Sequence, residues 1–120
     1  MIIAISSTGK ELDSNLDPRF GRAAYFIIVD AETMDFEAVE NTQDLNLPQG
    51  AGIQAGKKIA DQHVDALITG HCGPKAFKVL QTAGVKVVTA AGGKVSDAIE
   101  KFIKGELATA AAADVEGHGI

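Results

Sequence analysis

The strand-then-helix alternation in the C-terminal half constrains the fold of this chain more than any other feature. Residues 65–70, DALITG, form an apolar run that passes at once into a helical pattern, PKAFKVLQTAG, and a second apolar run, VKVVTAA, follows. Neighbouring strands separated by a helix pair in parallel, through a right-handed crossover. In the intervening helix Ala76, Phe77, Leu80 and Ala83 share a face, Pro74 suits the first helical position, and Gly84 sits where a helix stops. The last helix has the sharpest stripe: Val95, Ala98, Ile99, Phe102 and Ile103. Glu100 is spaced to pair with Lys104, and Gly105 ends the pattern.

The N-terminal half supplies the rest of the sheet. MIIAIS is a continuous apolar run, as expected of a strand buried on both faces. AYFIIVD and MDFEAVEN are two more strand-like runs, joined by the short polar link AET as a hairpin. GIQAGKKIADQHV then spaces Ile53, Ile59, Ala60 and Val64 as a helix does. The predicted order is β-β-β-α-β-α-β-α, a five-stranded mixed sheet flanked by three helices, with the second strand antiparallel to the others. Residues 1–107 form this one α/β domain. Residues 108–120 are an Ala-rich tail, a helical extension or a frayed end, in which His118 reads as a solvated residue.

That topology gathers the loops 7–23 and 41–51, GHCGP and AAGGK at the carboxyl end of the parallel strands, where open α/β sheets bind their ligands. Gly9, Gly21, Gly50, Gly70 and Gly73 lie in these loops and leave backbone N–H groups accessible. Two stretches there carry chemistry. In GHCGPK the lone cysteine, Cys72, stands beside His71 at a strand-to-helix junction, and a helix N-terminus favours an anion or a thiolate. Cys72 reads equally well as a small buried residue closing a strand end. In DPRFGRAAYF, Arg19 and Arg22 flank Phe20 and Gly21. They could fork onto an anion, or pair locally with Asp13 and Asp17 as a structural turn.

Several functions are excluded or weak. A formal net charge of -5 argues against a nucleic-acid binder. MIIAISSTGK has neither the basic start nor the long apolar stretch of a signal peptide or membrane span, and one cysteine allows no internal disulfide, so a cytoplasmic setting is expected. One cysteine with His63, His71 and His118 scattered along the chain does not make a zinc site. Neither a Walker loop nor a dinucleotide fingerprint is present. Asp30, Glu40 and Asp65 lie on differing sides of the sheet, too dispersed for two-metal chemistry.

DPRFGRAAYFIIVD, NLPQGAGIQAGKKIA and LITGHCGPKAFKVLQTAGVKV, in this order, resemble the dinitrogenase iron–molybdenum cofactor biosynthesis family, with its NifX- and NifY-type carriers and the NifB C-terminal domain. The likeness runs from about residue 1 to residue 107 and points to the short, single-domain members. It implies a ribonuclease-H-like α/β fold with no nuclease activity, in a non-enzymatic protein. It also implies a carrier of an anionic molybdenum–copper sulfide, or of an iron–molybdenum cofactor precursor, held without covalent protein ligands. The implicated positions are Arg19, Phe20, Gly21 and Arg22; Gly50, Ala51, Gly52 and Ile53; and His71, Cys72, Gly73 and Pro74. Phe20, Ile53 and backbone N–H groups would supply a neutral, sulfide-facing surface. His71 and Cys72 are the fallback donors should a metal be ligated directly. Cofactor-assembly proteins are the partners the family implies. The alternative is a regulatory module that partners an ATPase of the cell-division type.

Overall fold

The computed structural model describes residues 1–42, 46, 50–89 and 91–110. Its elements are β1 (Ile2–Ser7), β2 (Tyr25–Asp30), β3 (Phe36–Glu40), α1 (Ala51–Asp61), β4 (Ala66–Ile68), α2 (Pro74–Thr82), β5 (Lys86–Val88) and α3 (Val95–Ile103). The five strands form one sheet in the order β3-β2-β1-β4-β5. β2 runs antiparallel to β1 and β3, whereas β4 is parallel to both β1 and β5. The predicted order and strand directions are those observed.

Why the central runs are apolar at every position follows from the pleat, which sends successive side chains to opposite faces. Ala4, Phe26, Ile28, Leu67 and Val87 meet Ala55 and Ile59 of α1 and Ala76, Phe77 and Leu80 of α2. Ile3, Ile5, Ile27, Val29, Ile68 and Val88 meet Val95, Ala98 and Ile99 of α3. Both faces are covered, so alternation is lost except in β3, an edge strand whose Glu37 and Glu40 are exposed. Gly84 and Gly105 close α2 and α3 at φ +79° and +76°, a region costly for other residues.

Three local expectations change. The hairpin turn is wider than AET: Met34, at φ 64°, donates to the Asp30 carbonyl at 2.7 Å, and β3 starts only at Phe36. The stripe of α3 stops short of Ile103, which is 54% exposed, while Phe102 is only partly buried against the core. Residues 108–110 are not helical; the Ala110 N–H donates to the Val87 carbonyl at 2.7 Å and so occupies the outer edge of β5. The remainder of the tail, His118 included, and positions 43–45 and 47–49 of the loop before α1 lie outside the described residues.

Candidate functional site

Register brings the candidate segments to one end of the sheet. Ser7 pairs with Tyr25 and Tyr25 with Glu40, while Ile5 pairs with Ile68 and Ile68 with Val88. The loops that follow β1, β3, β4 and β5 therefore leave the same end.

Three of these loops lock together. The segment after β1 runs alongside the one after β4: the His71 N–H donates to the Pro18 carbonyl at 2.7 Å, and the Phe20 N–H to the His71 carbonyl at 3.2 Å. Arg19 and His71 thus form a one-rung parallel bridge. A Cβ on Gly70 would lie 2.6 Å from the Pro18 Cα, so only glycine admits this approach. On the other flank, a Cβ on Gly21 would meet the backbone N of Gly52 at 2.8 Å. The turn carrying the arginines is therefore wedged between the end of β4 and the start of α1.

A buried polar seam fixes its root. The Asp17 N–H donates to the Ser6 carbonyl at 2.9 Å, and Ser6 Oγ donates to the Asp17 carbonyl at 2.6 Å and shares a hydrogen bond with Thr69 Oγ1 at 2.8 Å. The buried Asp17 carboxylate accepts the Arg19 N–H at 3.0 Å, with the Arg19 Nε 3.7 Å away. The local Arg19–Asp17 pairing expected of a structural turn is present. It is long and its guanidinium end is 55% exposed, so it leaves Arg19 available to a ligand.

Alternation at the Arg19–His71 rung sorts the side chains. Arg19 and His71 face outward and are exposed, whereas their neighbours Phe20 and Cys72 point inward and are fully buried in the core beneath α1 and α2. The Phe20 ring packs on Phe26 at 5.3 Å between centroids. Phe20 is thus no part of an exposed sulfide-facing surface, a correction to the expectation above. Cys72, likewise interior, has its Sγ 3.8 Å from the Gly73 carbonyl. Arg22, Gly50 and Pro74 are exposed, Ala51, Gly52 and Ile53 are half-buried, and Gly73 is buried.

The helix N-termini differ in a telling way. α1 and α2 start from Gly50 and Gly73, and neither has a side-chain cap. At α3, by contrast, the first N–H groups are taken by the loop after β1: Val95 donates to Ser14 O at 2.9 Å and Ser96 to Leu12 O at 2.8 Å. The two helices that flank the arginine turn both start from a glycine, which has no side chain to crowd their positive ends, an arrangement that favours an anion. Among the described residues no group of three or more His, Cys, Asp or Glu could hold a metal ion, and no helix is long and apolar enough to cross a membrane.

One participant carried no sequence signal. Asn41, just past β3, donates from its side-chain amide to the Gly21 carbonyl at 3.2 Å and the Ala23 carbonyl at 2.8 Å. A single amide at a strand end has no periodic or motif signature, and only the tertiary fold brings it to the turn.

The profile of the family described as dinitrogenase iron-molybdenum cofactor matches residues 1–105. An uncharacterized protein of Methanocaldococcus jannaschii is 35% identical over 100 residues, covering 80% of this chain and 84% of that relative. Among solved structures, the apo form of the orange protein from Desulfovibrio gigas superposes with a TM-score of 0.89 at 43% identity, over 95% of this chain and 96% of that one. A NifB-like protein from Thermotoga superposes with a TM-score of 0.81 at 39% identity, over 97% and 98% of the two chains.

Proposed function

Because the chain belongs to the dinitrogenase iron-molybdenum cofactor family, we propose that it is a non-enzymatic carrier of an anionic molybdenum-containing metal–sulfur cluster. The cargo is a molybdenum–copper sulfide or an iron–molybdenum cofactor precursor, received from and passed to cofactor-assembly proteins. The observation that carries this reading is the convergence of two glycine-started helix N-termini on the turn that bears Arg19 and Arg22. Guanidinium groups offer paired donors that stay charged at any working pH, and helix ends add oriented N–H groups. Sulfide within such a cluster already satisfies its metals, so a site of charge and shape suffices to hold it. His71 stands on the outward side of the same rung and adds a ring nitrogen donor at the rim. No observation favours the alternative of a module that partners a cell-division-type ATPase.

The test is reconstitution with tetrathiomolybdate and copper, desalting, and a visible spectrum. Replacing both Arg19 and Arg22 by Ala should abolish retention while circular dichroism stays unchanged; undiminished colour rejects the reading. Cys72→Ala should keep the colour, since the thiol faces the core. Its loss from a folded Cys72→Ala protein would make the thiolate a ligand.

A further inference from the structure

The contacts of Asn41 form a linked clamp. Its amide nitrogen donates to the carbonyls of Gly21 and Ala23, the residues on either side of Arg22, and its backbone N–H donates to the Ala24 carbonyl at 3.1 Å. Asn41 is itself gripped from α1 in the same manner. Lys58 Nζ donates to the carbonyls of Glu40 at 3.1 Å and Thr42 at 2.9 Å, the residues on either side of Asn41. Desolvation holds the Lys58 ammonium below its ordinary range, with Glu40 drawing it partly back. Since the N-terminus of α1 also abuts Gly21, helix, strand end and arginine turn close into one ring of contacts.

The chemistry of the amide is specific to this place. Both donor contacts run to carbonyls, so a flipped amide would set oxygen against oxygen and the orientation is fixed. Among the described residues the buried Asn41 Oδ1 has no hydrogen-bond partner. An unpaired buried acceptor is costly, so stability alone is a poor reason for an asparagine here. Orientation of the turn is a better one.

We propose that Asn41 is the positioning residue of Arg22: by holding the carbonyls on both sides of it, Asn41 sets the direction in which the guanidinium leaves the turn, and thereby the affinity for an anion. Asn41 does not touch the cargo. This inference rests on the anion-carrier reading above.

A double-mutant cycle separates the two ideas, with tetrathiomolybdate as the probe, titrated spectroscopically at low salt, and urea unfolding run on each variant. Removing a charge-assisted contact weakens binding by about tenfold or more. Asn41→Ala should cost about that factor in the wild-type and Arg19→Ala backgrounds and nothing further in Arg22→Ala, because residues acting as a unit are not additive. Loss by the same factor in the Arg22→Ala background, or undiminished affinity in Asn41→Ala, overturns the assignment while leaving the carrier reading intact. A wild-type protein that does not take up the probe overturns both. Should Asn41→Ala fail to fold, Lys58→Met loosens the same clamp from α1, and the same dependence on Arg22 is expected; a loss independent of Arg22 counts against the proposal.

Discussion

Gly21 and Gly70 show how single residues decide whether this site exists. Neither is needed for a positive φ; each is needed because another backbone lies where its Cβ would be, at 2.8 Å from Gly52 N and 2.6 Å from Pro18 Cα respectively. Backbone cannot move aside as a side-chain tip can, so Gly21→Ala and Gly70→Ala should each destabilise the protein by about 1–3 kcal/mol, the usual range for overpacking. Gly92 has open space and no positive φ, and Gly92→Ala should stay within about 0.5 kcal/mol of wild type, as surface changes do. Urea unfolding of the three variants checks this, and equal stabilities would refute it. At this scale the sequence was half legible. Arg19, Arg22 and His71 could be nominated from charge and from their places in the loops, but Phe20 and Cys72 sit between nominated neighbours and face the other way. Burial of Cys72 was one of its two readings, whereas the inward turn of Phe20 comes from the pairing of two loops distant in sequence, which no local pattern encodes.

Among the elements, the strands announced themselves as short apolar runs, the helices through their period, and Gly84 and Gly105 through their chemistry. What the periods did not reveal is how each helix begins. The loop after β1 spends its carbonyls on the start of α3, whereas α1 and α2 each start from a glycine that has no side chain to cap them. That difference yields a prediction with opposite signs. Gly50 has an extended backbone, at φ -73° and ψ 175°, and an added Cβ there would meet no atom of the described residues within 4 Å. Gly50→Asp should therefore add a helix cap and raise stability by about 0.5 kcal/mol. The same carboxylate faces the positive helix end and competes with a bound anion, so tetrathiomolybdate should bind less tightly. Thermal melts and the spectroscopic titration read the two effects separately; tighter binding alongside higher stability would contradict the assignment of the anion to this end of α1.

Across the whole molecule the net charge of -5 conceals a separation of charge. The carboxyl end of the sheet carries exposed Arg19, Arg22, His71, Lys75 and Lys94, against Glu40 at the end of β3 and Glu11 and Asp13 in the loop over α3. Glu32 and Asp35 lie in the β2–β3 turn at the far end, with Asp61 at the end of α1 and Asp65 just before β4. An exposed basic rim is screened by salt over about 10 Å at 0.1 M, so retention of tetrathiomolybdate should fall steadily as sodium chloride rises. Salt-independent retention would mean the probe is held by ligation instead. Topology and charge balance were readable from the chain because they are sums over many residues. The clamp of Asn41 and Lys58 was not, since it depends on two side chains meeting two particular carbonyl pairs. The interlocking of the arginine turn also bears on how cargo would come and go. A turn wedged against Gly52 on one side, bridged to His71 on the other and clamped by Asn41 cannot swing shut as a lid. On the carrier reading, the described part of the site is a dish rather than a jaw: occupancy would follow the encounter rate and the depth of the electrostatic well, and an acceptor could collect the cluster by offering a deeper well.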